Sequence, residues 1–117
     1  MKFICYPKCT TCQKAKKWLE QNNIDFDEVN IRENNPTYME LSEWYGRSGL
    51  PLRKFFNTSG ILYKSMSLKD KLDFMSDEEM LNLLASDGML VKRPIVVTEE
   101  AVLVGFNEKL WSEALLK

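Results

Sequence analysis

Residues 5–21 read CYPKCTTCQKAKKWLEQ, and the way this stretch folds decides the rest of the chain. All three cysteines, Cys5, Cys9 and Cys12, fall within its first eight positions. Ahead of it, Lys2 to Tyr6 is a short apolar run that Pro7 brings to an end, as expected of a first strand. Behind it, Thr11 to Asn22 carries Ala15, Trp18 and Leu19 at the spacing of one helical face. Asn22-Asn23 suits the helix exit, because asparagine tolerates the left-handed conformation there. Phe26 to Ile31 then alternates like a second strand. A strand, a helix and a strand within about thirty residues make a βαβ unit with a parallel pair. Cys9-x-x-Cys12 sits at its first strand-to-helix junction.

The middle of the chain differs in kind. Asn35-Pro36 breaks it, and Thr37-x-x-Glu40 is a capping-box pattern opening a helix through Tyr45. Gly46 and Gly49-Leu50-Pro51 interrupt that helix, and Leu52 to Phe56 fits about one further turn. Ser67 and Ser76 each precede apolar-periodic stretches, the second with Glu79 three residues on. Met89 to Val97 returns to β-branched residues, Thr98-Glu99-Glu100 is a polar turn, and Ala101 to Val104 completes a hairpin. Asn107 caps a last helix with Leu110, Trp111, Ala114 and Leu115 at core spacing. Residues 1–36 and 89–117 thus read as a sheet core and 37–88 as a helical insert, in one domain of 117 residues. Trp18, Trp44, Trp111, Phe55 and Phe56 are assigned to packing, the common use of such side chains.

Sixteen basic and seventeen acidic residues leave a formal charge of −1, which argues against a general electrostatic grip on nucleic acid or on a membrane surface. No signal-peptide core follows Met1 and no apolar run approaches membrane-spanning length. A cytoplasmic location is therefore expected, where cysteines are kept reduced. An odd number of close cysteines also fits an extracellular disulfide framework badly. There is no histidine. A Cys-His hydrolase is excluded, and so is any phosphate-binding glycine loop.

The remaining readings of the thiols are a metal site and a redox centre. Structural zinc wants four ligands, so three cysteines would need a carboxylate, water or another chain beside them. The redox reading needs only what is present. Residues three apart in a first helical turn lie on one face, roughly 5 to 6 Å apart and within disulfide reach. The earlier one sits where free backbone N–H groups and the helix dipole favour a thiolate. Lys8, Lys14, Lys16 and Lys17 add positive potential. Cys9 is then the nucleophile and Cys12 the resolving thiol. Thr10 and Thr11 are expected to offer backbone N–H groups near the sulfur, and Cys5 is expected to be an ordinary small buried residue.

Pro7-Lys8-Cys9-Thr10-Thr11-Cys12, together with Lys92-Arg93-Pro94-Ile95-Val96-Val97 about eighty residues on, resembles the arsenate reductase (ArsC)/Spx family. The resemblance implies a thioredoxin/glutaredoxin-like α/β fold: a mixed four-stranded sheet with helices on both faces and an inserted helical lobe. It implies that Arg93 faces the cysteine and stabilises a thiolate or an anion, and that the bond to Pro94 is cis. Arsenate reductases of this type carry further arginines, and near those places this chain has Asn57 and Gly105. Arg53, four residues before Asn57, is a weaker candidate for the same face. The activity implied is that of a thiol–disulfide oxidoreductase with no tightly bound cofactor, reduced by glutathione or by a thioredoxin or glutaredoxin system. Its substrate would be a disulfide or a small oxyanion. The alternatives are arsenate reduction proper and, from the Spx branch, a redox-sensing regulator that binds RNA polymerase without reading DNA itself.

Overall fold

A computed structural model of the protein describes residues 1–116; Lys117 lies outside the described residues. The chain divides into two compact units, one of Met1–Asn30 with the stretch from Arg93 onward, the other of Ile31–Lys92.

The first unit is built on a four-stranded sheet in the order β2-β1-β3-β4. β1 (Lys2–Cys5) pairs parallel with β2 (Asp27–Asn30) and antiparallel with β3 (Ile95–Val97), which pairs antiparallel with β4 (Val102–Val104). The Cys5-to-Asn30 and Phe3-to-Glu28 register puts those side chains on one face. α1 (Thr10–Gln21) and α6 (Glu108–Leu115) pack on that face. Phe3, Cys5, Cys12, Ala15, Leu19, Val96 and Trp111 form its buried cluster. The indole N–H of Trp111 donates to the Gly105 carbonyl at 3.0 Å, so the ring is buried without stranding its polar atom.

Some boundaries differ from those read in the sequence. β1 stops at Cys5 because the N–H of Tyr6 donates to the Cys12 sulfur and its carbonyl accepts from Cys9, so neither serves the ladder. β3 begins only at Ile95. The residues before it make a 3-10 turn over Gly88–Leu90, capped by Asp87, and Pro94 has no N–H to donate. Leu110 was expected in the core and is 55% exposed, leaving Trp111 as the buried residue of α6.

The second unit holds α2 (Tyr38–Ser48), α3 (Ile61–Ser65), α4 (Leu68–Lys71) and α5 (Asp77–Ser86), with a 3-10 turn at Leu52–Phe55. Thr37 with Glu40, and Ser76 with Glu79, close full capping boxes at the starts of α2 and α5. Ser67 instead takes a left-handed conformation (φ 54°) and caps nothing with its side chain. A bridge between Phe56 and Val91, flanked by bonds from Asn57 N–H to Leu90 and from Lys92 N–H to Phe55, ties the end of the unit to its middle. Among the described residues no helix is long and apolar enough to cross a membrane.

Candidate functional site

The path from β1 into α1 is a tight turn. Pro7 supplies a fixed φ for its second position, and the Cys9 N–H closes it on the Tyr6 carbonyl at 2.9 Å. The Gln13 side chain donates to the Pro7 carbonyl at 3.0 Å and fastens the turn to the helix. Cys9 emerges as the N-cap of α1, in extended conformation, and its carbonyl accepts the first helical bond, donated by the Gln13 N–H at 3.0 Å.

That cap position sets the chemistry of the sulfur. Partial burial works against ionising Cys9, but four influences outweigh it: the backbone N–H of Cys12, the Cys12 thiol, the backbone N–H of Thr11, and the charge of Arg93. The net result is a thiol that ionises below the ordinary value of 9.0. Cys12 goes the other way. Burial, opposed by the bond from the Tyr6 N–H at 3.4 Å, and then the neighbouring Cys9, push it up to about 12. Ionisation is thus favoured at one thiol and disfavoured at the other beside it. All three cysteines are free thiols, and Cys5 and Cys12 are buried.

Arg93 belongs to the same unit. Its guanidinium lies over the Tyr6 ring, 5.3 Å from the centroid, a cation–π arrangement that holds the charge at this end of the sheet. Its peptide bond to Pro94 is cis. Pro94 is buried, and its carbonyl accepts from the Gly105 N–H at 2.8 Å. Gly105 has φ 77°, a conformation that glycine adopts without the Cβ penalty an arginine would carry there. Lys8 and Thr10 are exposed, in the turn and at the start of α1. Arg53 lies in the second unit, where it pairs with Asp73. Among the described residues no cluster of cysteine and carboxylate groups is suited to hold a metal ion.

Two contributors were not singled out in the sequence. One is the Cys12 N–H, which acts on the Cys9 sulfur together with the Thr11 N–H, where the sequence reading had paired Thr11 with Thr10. The rule for helix caps would have found it, since the second and third helical residues are the ones whose N–H groups face an N-cap side chain. Tyr6 had no such signal, because its part is played by a backbone N–H and by the face of its ring.

The ArsC family model matches residues 5–114. Protein YusI of Bacillus subtilis is 53% identical over 111 residues, covering 95% of this chain and 94% of that one. The global transcriptional regulator Spx 2 of Bacillus cereus is 35% identical over 104 residues, 86% of this chain and 76% of the regulator. The crystal structure of an ArsC family related protein from Bacteroides fragilis superimposes with a TM-score of 0.93 at 54% identity, covering 96% of each chain.

Proposed function

The chain belongs to the ArsC family, and from that premise we propose that it is a thiol–disulfide oxidoreductase working through Cys9 and Cys12. The observation that carries this reading is the opposed ionisation of two thiols in one helical turn. The Cys9 thiolate attacks one sulfur of a disulfide substrate, forming a mixed disulfide and expelling the first thiolate. Cys12 then loses its proton, attacks the Cys9 sulfur and expels the second. Two thiols leave and the Cys9–Cys12 disulfide remains, to be reduced by glutathione or by a thioredoxin or glutaredoxin system. Lys8, Thr10 and Pro94 are the neighbouring groups against which a substrate would lie, and Arg93 stabilises the anion.

Disulfides suit this site better than a doubly charged oxyanion. Charge-assisted bonds from several cations hold such an anion, whereas Arg53 is already paired with Asp73 and Gly105 stands where a further arginine was sought. Arsenate reduction is therefore the second choice. The similarity to Spx 2 favours one other reading, a redox-sensing regulator acting on RNA polymerase.

Equilibration in glutathione buffers of graded potential, followed by alkylation and mass mapping, tests the pair. A reversible Cys9–Cys12 disulfide is expected, together with steady-state reduction of a disulfide substrate that Cys9→Ser abolishes. Full activity in Cys9→Ser would remove the proposal. A reversible disulfide without turnover would favour the regulator, and arsenate-dependent oxidation of the pair would favour arsenate reduction.

A further inference from the structure

Cys5 is the thiol that the two-cysteine mechanism leaves idle. It ends β1 on the face shared with Phe3 and lies in the same buried cluster as Cys12, against which Cys9 packs. The bond from the Tyr6 N–H to the Cys12 sulfur keeps that sulfur within roughly 6 Å of the Cys5 Cα, since the peptide geometry fixes the remaining distance. The two thiols are thus neighbours within one buried cluster, the first requirement for a bond between them. The Cys5 thiol also has a proton acceptor. The Glu28 carboxylate on the neighbouring strand, which Lys16 of α1 holds at 2.8 Å, acts on the thiol through its charge.

Resting on the function proposed above, we propose that Cys5 is a second resolving thiol, which attacks the Cys12 sulfur of the Cys9–Cys12 disulfide and forms Cys5–Cys12. One S–S bond breaks and one forms, so the chain is neither oxidised nor reduced in the step. The electron pair of the broken bond leaves on Cys9. The Cys5 proton passes to Glu28 and from this exposed side chain to water. The direction follows from where the negative charge is best held. Cys9 leaves as the thiolate favoured by the Cys12 and Thr11 N–H groups and by Arg93. Burial and Glu28 push Cys5 up to about 11, and Cys12 stands at about 12, so pairing those two sacrifices no stabilised anion. A more acidic thiol is also the faster leaving group. The oxidation is thereby stored in the core while the nucleophile is returned to the surface, and each chain accepts a second equivalent of oxidant as a mixed disulfide on Cys9.

The sequence makes the test direct. Lys2, Lys8 and Lys14 let trypsin release Cys5 in one peptide and Cys9 with Cys12 in another. The intact protein is oxidised with glutathione disulfide, quenched in acid at successive times, alkylated and digested. Cys9–Cys12 is expected first, within a single peptide. It then gives way to a linked pair of peptides joined through Cys5 and Cys12, with Cys9 alkylated or carrying glutathione. In Cys5→Ala the linked pair vanishes while the Cys9–Cys12 bond persists. A Cys9–Cys12 disulfide stable at all times with Cys5 alkylated, or a link from Cys5 to Cys9, overturns the second resolving thiol and leaves the proposed oxidoreductase intact. Absence of any disulfide overturns both.

Discussion

At the scale of single residues, the reactivity of Cys9 is a contest between partial burial, which disfavours the thiolate, and the donors and charge arranged around it. Arg93 brings a full positive charge to bear on that sulfur, and its guanidinium lies over the Tyr6 ring. Replacing it with glutamine removes the charge while keeping polar contact. Cys9 in Arg93→Gln should then ionise at higher pH than in the parent, and its alkylation near pH 7 should slow by a factor of a few. The pH profile of alkylation reads this directly: the parent's midpoint falls below 9.0, and the variant's moves toward it. An unchanged midpoint would leave the backbone N–H groups and the Cys12 thiol as the cause. The cysteine pair itself was legible from spacing and from its place before a helical pattern. The Tyr6 contribution was not, because a backbone N–H belongs to every residue type and only the turn at Pro7 aims this one at Cys12.

At the scale of elements, α1 is built differently from α2 and α5. Those two begin with serine or threonine in complete capping boxes and with acidic residues in the first turn. α1 begins with a cysteine that makes no conventional cap bond, and its first turn has no acidic residue. Its orphan N–H groups and its dipole are left for an anion on the sulfur. Serine at position 9 would cap that helix, so Cys9→Ser should abolish turnover while raising stability by about 0.5–1 kcal/mol at about pH 5. The sign of the pH dependence is fixed by the depressed Cys9 value. The thiolate stabilises the fold above the ordinary 9.0, and that contribution is lost as pH falls through the folded value. The advantage of serine should therefore shrink as pH rises, as urea midpoints across the range will register. An advantage that grows with pH would contradict the thiolate account. The helices were readable because their caps are local signals, and the hairpin because Thr98 turns it with bonds from the N–H groups of Glu100 and Ala101. Leu110 was misplaced because helical spacing alone cannot tell which of two adjacent stripes faces a sheet.

At the scale of the whole molecule, the chain leaves the sheet-bearing unit at residue 30 and re-enters it at 93. The Asn35-Pro36 break suggested an insert beginning at 37, but Ile31 and Asn35 belong with the end of the second unit. The Asn35 side chain donates to the Ala85 carbonyl at 2.7 Å, and Gly88 packs against both ends of the 31–35 stretch. Such a closure joins residues about fifty apart, which no local pattern announces. Gly88 is required there for room: a Cβ would come within 2.6 Å of the Ile31 carbonyl oxygen and of the Asn35 side-chain oxygen. Gly46, inside α2, has nothing within 4 Å of where its Cβ would stand. The two glycines therefore answer the same substitution in opposite ways. Gly88→Ala should cost about 1–3 kcal/mol, because backbone at the junction must shift. Gly46→Ala should add roughly 0.5–1 kcal/mol through helix propensity and a stiffer unfolded chain. Urea midpoints of the two variants, measured side by side with the parent, should fall on either side of it. A neutral Gly88→Ala would mean that the two ends of the insert are not held together by close packing, and that the second unit derives its closure from the Phe56–Val91 bridge instead.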